Sequence, residues 1–172
     1  DRPLFADETG MFLPGDKLGA LALTALPIDP LETLIPLTIS TNDGVVEMLD
    51  QNGFAVTATK IGSPHICRAM LQALGEFPVA GNPAFGRTYE FTMGWEANGG
   101  FLLGTDVEFP GGVLKALPTR DAVLPLISTM LLMQQNAIKA SEFIHLALPP
   151  RYNVAGVVDS STPGLEAYTA DV

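Results

Sequence analysis

The sequence predicts an α/β fold, in which a mixed β-sheet is layered with helices. Apolar strand-like runs alternate with helical patterns, for example where residues 54–59 are followed by a helix that begins near Pro64. Short apolar runs that face each other across turn residues predict hairpins, so the sheet contains antiparallel as well as parallel strands. The 172 residues, 47% of them hydrophobic, suffice for one packed domain.

Turn, cap and breaker residues bound the predicted elements. In chain order we predict a hairpin of residues 4–6 and 11–13, a helix at 17–25, a strand at 34–39, a helix between residues 41 and 53, a strand at 54–59, a helix at 64–74, a long loop at 75–87, strands at 89–93 and 101–104, a long helix that reaches residue 139 and a short one that ends before residue 149. Residues 1–150 then form one domain. Residues 151–172, rich in Ser, Thr, Pro and Gly, are predicted to be a linker or the truncated start of another domain.

Several single residues carry specific expectations for these elements. The residues predicted to cap the four longer helices are, in chain order, Asp16, Thr41, Ser63 and either Thr119 or Asp121. Arg120 is interpreted as a structural residue at the start of the last of these helices. Pro36 lacks a backbone N–H, which argues against a central, fully paired position for the strand at 34–39.

Charge and cysteine content exclude several classes of function. Nineteen acidic residues against nine Lys and Arg give a net charge of −10, which repels nucleic acid and anionic lipid. We therefore expect neither nucleic-acid nor membrane partners. A single cysteine, Cys67, excludes an internal disulfide and a multi-cysteine zinc site, and it is interpreted as a small buried apolar group.

The start of the chain shapes the expectation about its origin and location. Residue 1 is not methionine, so we expect a piece of a longer protein. The given chain shows no basic-then-apolar leader, and its longest apolar stretch is too short to cross a bilayer. A cytoplasmic location is expected.

The strongest candidate for chemistry is the segment Gly94-Trp95-Glu96-Ala97-Asn98-Gly99-Gly100 between two strand-like runs. Glu96 can accept hydrogen bonds, and Asn98 can both donate and accept them, as neighbouring sugar hydroxyls require. The glycines would let a ligand approach the backbone. The alternative is a plain strand-to-strand loop that uses Asn-Gly turn chemistry. We expect an exposed loop with both polar side chains pointing outward. A Glu96 that is fully buried in a salt bridge would end the sugar-loop argument.

This segment resembles the sugar-specificity loop of the α-D-phosphohexomutases, the phosphomannomutase/phosphoglucomutase family. Further segments resemble that family in the same order along residues 1–150; these are Asp1-Arg2-Pro3, like the end of its metal loop, Gly15-Asp16, Thr59-Lys60-Ile61-Gly62 and Thr119-Arg120-Asp121-Ala122. The resemblance implies domain three of a four-domain architecture. No counterpart is found of the phosphoserine loop or of the loop that holds the substrate phosphate.

The resemblance implies a reaction for the longer parent protein. Such an enzyme interconverts hexose 1-phosphate and hexose 6-phosphate through a phosphoserine assisted by Mg²⁺, and domain three reads the sugar hydroxyls. This chain alone is expected to be inactive, with no catalytic residue and no bound Mg²⁺. Asp1 would be the last metal aspartate of the parent. The expected substrate-binding residues are Glu96, Asn98, Gly94, Gly99, Ser63 and Arg2.

Two details depart from the family pattern. Ser63 stands where some members have histidine, and His65, two positions later, does not inherit that role. For Lys60, two interpretations stay open, a contact with phosphate and a solvated side chain.

Expected partners are a hexose phosphate and the other domains of a monomeric parent. The alternatives are a stand-alone sugar-phosphate-binding module without catalysis and an α/β interaction domain without a small-molecule site.

Overall fold

A five-stranded mixed sheet forms the centre of the fold. The structure is a computed structural model that describes residues 2–76 and 86–150. Its elements, in chain order, are β1 (Phe5–Ala6), β2 (Phe12–Leu13), α1 (Gly15–Thr24), a 3₁₀ turn (Pro30–Glu32), β3 (Thr33–Thr38), α2 (Asp43–Gln51), β4 (Ala55–Thr59), α3 (Ser63–Ala73), β5 (Phe91–Trp95), β6 (Phe101–Leu103), β7 (Val107–Phe109), β8 (Gly112–Leu114), β9 (Leu117–Asp121), α4 (Val123–Asn136) and α5 (Ala140–Ala147).

The order of strands in this sheet is β4-β3-β5-β6-β9. Strand β3 is parallel to β4 and to β5, and β6 is antiparallel to both of its neighbours. The parallel connections pass through α2 and α3, because a parallel pair requires a crossover rather than a tight turn. Two small hairpins, β1–β2 and β7–β8, lie outside the sheet. The predicted mixed α/β fold is confirmed.

Helices cover both faces of the sheet. On one face, Ile35 and Leu37 of β3 pack in the main core cluster with residues of α1 and α2, such as Leu23 and Val45. On the other face, Ile66 and Met70 of α3 pack against Leu102 of β6. Helix α4 packs on α1 and so forms a further layer. All six residues of β3 are buried, as expected for a strand that helices cover on both faces.

The prediction that Pro36 keeps its strand away from a central position is wrong. Strand β3 has a neighbour on each side, and Pro36 is in register with Thr57 of β4. Towards β5, Pro36 falls between the pairs Leu34–Thr92 and Leu37–Trp95. A Cβ atom on Gly94 would lie 2.4 Å from the Pro36 carbonyl oxygen and 3.3 Å from its Cγ. Gly94 therefore provides the space that lets β5 pass a proline in a central strand.

The predicted caps lie one or two residues from the observed helix starts. Helix α1 begins at Gly15, so Asp16 is inside the first turn, where its Oδ1 accepts from the Lys17 N–H at 2.8 Å. The side chain of Asn42 caps α2 in place of Thr41, and Gly62 precedes α3 in place of Ser63. These shifts are small because the cap of a helix depends on local dihedral angles as well as on residue type.

The largest difference from the predicted helices lies before α4. Residues 117–121 form strand β9, so Arg120 is a strand residue rather than the start of a helix. Asp121 Oδ1 accepts from the backbone N–H groups of Val123 and Leu124, at 2.7 and 3.3 Å, which supports the predicted capping role of Asp121. Helix α4 ends at Asn136 rather than at residue 139, because Ala137 adopts a left-handed conformation with φ of 51°.

Other predictions fall outside the described ranges. Asp1, part of the predicted loop at 75–87 and the predicted linker at 151–172 lie there. Among the helices that the structure describes, none is long and apolar enough to cross a membrane.

Candidate functional site

The carboxyl ends of β3, β4 and β5 meet at one edge of the sheet, because these three strands are parallel. The segments that follow them begin at residues 39, 60 and 96. In open α/β sheets, ligands bind outside the carboxyl ends of the strands. This edge carries Ser63, Glu96, Asn98 and Gly99 from the predicted site.

Residues 96–100 form a tight turn between β5 and β6. The Gly99 N–H donates to the Glu96 carbonyl at 2.8 Å, and the Glu96 N–H donates to the Gly100 carbonyl at 3.2 Å. The Asn98 Oδ1 accepts from the Gly100 N–H at 3.1 Å. Gly99 has a φ of 91°, which favours glycine. The Asn98 side-chain nitrogen has no hydrogen-bond partner among the described residues, so its two N–H groups are available to a ligand.

Glu96 lies beneath this turn rather than on its surface. Its side chain is 4% exposed and forms a salt bridge with Arg120 of β9, in which Nε donates to Oε2 at 2.6 Å. A second, longer contact joins the Arg120 terminal nitrogen to Oε1 at 3.4 Å. The expectation of an outward-pointing Glu96 is therefore wrong, and the sugar-loop argument that rested on an exposed Glu96 fails. The cause is strand pairing, since β9 joins β6 through Phe101 and Asp121 and so brings Arg120 beside Glu96.

Arg120 is the residue of this pair that reaches solvent, because 32% of its side chain is exposed. Its hydrogen bond with Glu96, together with the carboxylate charge, raises the pKa of the guanidinium above its ordinary value. The stem of Arg120 also lies over the turn, so a Cβ on Gly100 would be 3.0 Å from the Arg120 Cγ. The guanidinium is thus held at the edge of the sheet as a charge-compensated donor.

Trp95 and Asp16 hold the turn against helix α1. Trp95 is fully buried, and its indole N–H donates to the Asp16 carbonyl at 2.9 Å. Its ring stacks on Phe101 with centroids 5.6 Å apart. The Asp16 Oδ2 accepts from the Asn42 N–H at 2.8 Å, which links α1 to the segment after β3. Trp95 therefore packs in the main core cluster beneath the turn.

The two predicted site glycines face protein atoms. A Cβ on Gly94 would lie 2.6 Å from the Ile66 Cγ2, and a Cβ on Gly99 would lie 2.8 Å from the Pro3 Cγ. Both glycines therefore permit close packing of the domain. Pro3 is buried beside Gly99 and brings the exposed Arg2 to the neighbourhood of the turn.

The remaining predictions for the site concern Ser63 and a metal ion at Asp1. Ser63 is the first residue of α3 and is partly exposed at the same sheet edge. Asp1 lies outside the described residues. In the described part of the chain, no group of three or more His, Cys, Asp or Glu side chains could hold a metal ion.

Cys67 lies near the buried carboxylate. Its thiol donates to the Pro118 carbonyl at 3.4 Å, and burial, with a smaller contribution from the Glu96 charge, raises the pKa of the thiol. A smaller thiolate fraction reacts more slowly. We therefore expect iodoacetamide at pH 8 to alkylate Cys67 more slowly in the folded chain than in urea, as followed by mass spectrometry. Equal rates in the two conditions would contradict this environment.

Comparison with known proteins identifies the fold described above. The sequence model of the family described as phosphoglucomutase/phosphomannomutase, alpha/beta/alpha domain III, matches residues 14–151. The chain belongs to this family. It is 35% identical over 158 residues to a phosphomannomutase of Sinorhizobium fredii (strain NBRC 101917 / NGR234), a match that covers 92% of this chain and 27% of that protein. It is 40% identical over 153 residues to a phosphomannomutase of Salmonella muenchen, covering 88% of this chain and 27% of that protein.

Solved structures agree with this assignment to phosphoglucomutase/phosphomannomutase domain III at the level of the fold. Aspergillus fumigatus N-acetylphosphoglucosamine mutase, in complex with GlcNAc-6P and magnesium, matches with a TM-score of 0.54 and 16% identity, covering 97% of this chain and 37% of that one. An N-acetylglucosamine-phosphate mutase, a member of the α-D-phosphohexomutase superfamily, in its substrate complex matches with a TM-score of 0.53 and 16% identity, covering 85% and 30%. The chain spans 27% of the length of the two phosphomannomutases, from Sinorhizobium fredii and Salmonella muenchen.

Sequence reasoning missed the part that Arg120 plays in this domain III. The segment Leu117-Pro118-Thr119-Arg120-Asp121 lacks the apolar alternation of a half-buried strand, and most of it is exposed. An edge strand needs few buried side chains, so its pattern is weak. The one available signal was the arginine itself, since a buried carboxylate requires a cationic partner.

Proposed function

We propose that the longer protein containing this chain is a phosphohexomutase that interconverts hexose 1-phosphate and hexose 6-phosphate. In this proposal, domain III reads the sugar hydroxyls and performs none of the phosphoryl transfer. The observation that carries the proposal is the turn at 96–100, which presents the side-chain nitrogen of Asn98 and the Arg120 guanidinium at the carboxyl edge of the sheet. Membership of the family and the names of the relatives support it.

The chemistry of these two groups fits neutral hydroxyls. The Asn98 side-chain nitrogen supplies two donors, and its oxygen holds the turn through the Gly100 N–H. The positive charge of Arg120 is compensated by Glu96, so its remaining N–H groups act as directed donors in a nearly neutral pair. Glu96 then positions Arg120 rather than touching the sugar. This assignment revises the expected direct contact between Glu96 and the substrate.

The phosphoryl chemistry of the proposed enzyme belongs to other parts of the parent. Magnesium would assist transfer by compensating negative charge near the phosphoserine. Asp1 would supply one carboxylate to that ion from the end of this chain. The mutase of known structure that contains magnesium and a sugar 6-phosphate supports this part of the proposal.

Replacement of Asn98 by aspartate in the parent protein tests the sugar contact. Aspartate keeps the oxygen that accepts from the Gly100 N–H but removes both N–H donors. A neutral hydrogen bond contributes about 0.5–1.5 kcal/mol, so we expect kcat/KM to fall up to about tenfold. The loss should occur with the hexose 1-phosphate and with the 6-phosphate, because one site reads both orientations.

The matched control is Asn136→Asp at the end of α4, where the Asn136 amide donates to the Leu132 carbonyl at 2.8 Å. This position is remote from the sheet edge, so the control should retain mutase activity. Unchanged kinetics for Asn98→Asp would remove Asn98 from the site. A parent protein without hexose phosphate interconversion would refute the proposed function itself.

A further inference from the structure

A groove between the edge strand β4 and helix α3 is separate from the turn at 96–100. It has a volume of 370 Å³ and is lined by Thr57, Ala58, Thr59, Lys60, His65, Arg68, Ala69 and Gln72. Strand β3 lies between β4 and β5 in the sheet, so the groove is on the far side of β3 from that turn. A volume of this size is enough for a small ligand.

The charge of this groove is opposite to that of the chain. The chain carries nineteen acidic residues and a net charge of −10, yet none of the eight lining residues is acidic. Lys60, His65 and Arg68 place two fixed positive charges and an imidazole on its walls. Such a local concentration of positive charge attracts anions in spite of the overall repulsion.

The two fixed cationic groups of the groove have no ion-pair partner among the described residues. Three other cations of the described residues are in ion pairs: Arg87 with Glu32, Lys115 with Asp106 and Arg120 with Glu96. Within the same described ranges, Lys60 and Arg68 form no ion pair, and both are exposed. Their donors are therefore available to an external acceptor.

We propose that this groove binds a phosphate group, either as inorganic phosphate or as part of a phosphate monoester. The planar guanidinium of Arg68 matches two phosphate oxygens, and the ammonium of Lys60 adds a point charge. Strand β4 contributes polar groups as well, because an edge strand directs half of its backbone N–H and C=O groups away from the sheet. Thr57 and Gln72 add side-chain donors.

Nuclear magnetic resonance of the ¹⁵N-labelled 172-residue chain tests this proposal. Inorganic phosphate is titrated at constant ionic strength against sodium chloride, with acetate in a parallel series. We expect saturable shifts in the amides of residues 57–60 and 65–72, and weaker binding of acetate, which has one negative charge and a single carboxylate. Lys60→Gln/Arg68→Gln should weaken phosphate binding about tenfold, since each exposed charge contact contributes up to about fivefold.

The control is Lys115→Gln/Lys139→Gln, which removes the same net charge at exposed positions away from the groove. It should bind phosphate like the wild type. Equal weakening by both double variants would show non-specific attraction and overturn the proposal, as would an absence of saturable shifts in the groove. The single variants Lys60→Gln and Arg68→Gln provide the same comparison with smaller changes. No mutase activity is needed, so this result is independent of the proposed function.

Discussion

Replacement of Trp95 by alanine is expected to destabilise the domain by about 3–5 kcal/mol, the usual cost of deleting a buried large aromatic side chain. Trp95 is fully buried, and the substitution removes its stack with Phe101 and its hydrogen bond to the Asp16 carbonyl. A Cβ on Gly19 of α1 would lie 2.4 Å from the indole ring, so this helix approaches Trp95 as closely as a glycine allows. Because domains are stable by only about 5–15 kcal/mol, a large share of the folded state would be lost.

Urea denaturation followed by circular dichroism measures this change in the free energy of unfolding. The control is Phe109→Ala on the β7–β8 hairpin, where the aromatic side chain is 38% exposed and should cost much less. Trp95→Phe should fall between the two, because it keeps an aromatic ring but loses the indole N–H. Similar midpoints for Trp95→Ala and Phe109→Ala would contradict the place of Trp95 in the core.

Replacement of Arg120 by methionine is expected to cost about 3 kcal/mol, because it leaves the Glu96 carboxylate buried without a cation. Methionine keeps most of the apolar stem over Gly100, so the loss reports charge rather than packing. Glu96→Gln should cost less, since the Arg120 side chain is 32% exposed and can be hydrated, whereas that of Glu96 is 4% exposed. The double variant Glu96→Gln/Arg120→Met should recover part of the stability lost by Arg120→Met alone.

A double-mutant cycle on the free energy of unfolding isolates this interaction. The control is Lys115→Met in the Lys115–Asp106 pair, whose side chains are 77% and 46% exposed, and it should change stability little. Equal losses for Arg120→Met and Glu96→Gln, with simple additivity in the double variant, would show that the two residues are not coupled.

Much of the fold could be predicted because its signals are local. The β1–β2 hairpin, the strand at 34–39 and the stop of α2 at Gly53, which has a φ of 83°, follow from turn residues and apolar runs. The bounds of α4 were less predictable. Its apolar pattern continues past Asn136, and the left-handed Ala137 that ends it has no sequence signature.

The candidate site was predicted in position but not in arrangement. Residues 96–100 of the predicted segment do connect two strands at the carboxyl edge of the sheet, and Asn98 is partly exposed there. The part of Glu96 could not be predicted, because its partner Arg120 lies 24 residues further along the chain. That partner is brought close only by the pairing of β6 with β9.

The sequence by itself determined the α/β class, the order of most elements and the resemblance to the phosphohexomutases, since these depend on periodicity, turn chemistry and short ordered motifs. Only the tertiary structure decided that Pro36 lies in a central strand, that Gly94 makes room for it, and that Arg120 rather than Glu96 reaches the sheet edge. The physical reason is the same in each case. Burial, strand neighbours and charge pairing depend on groups distant in the chain, and these meet only when the sheet has formed.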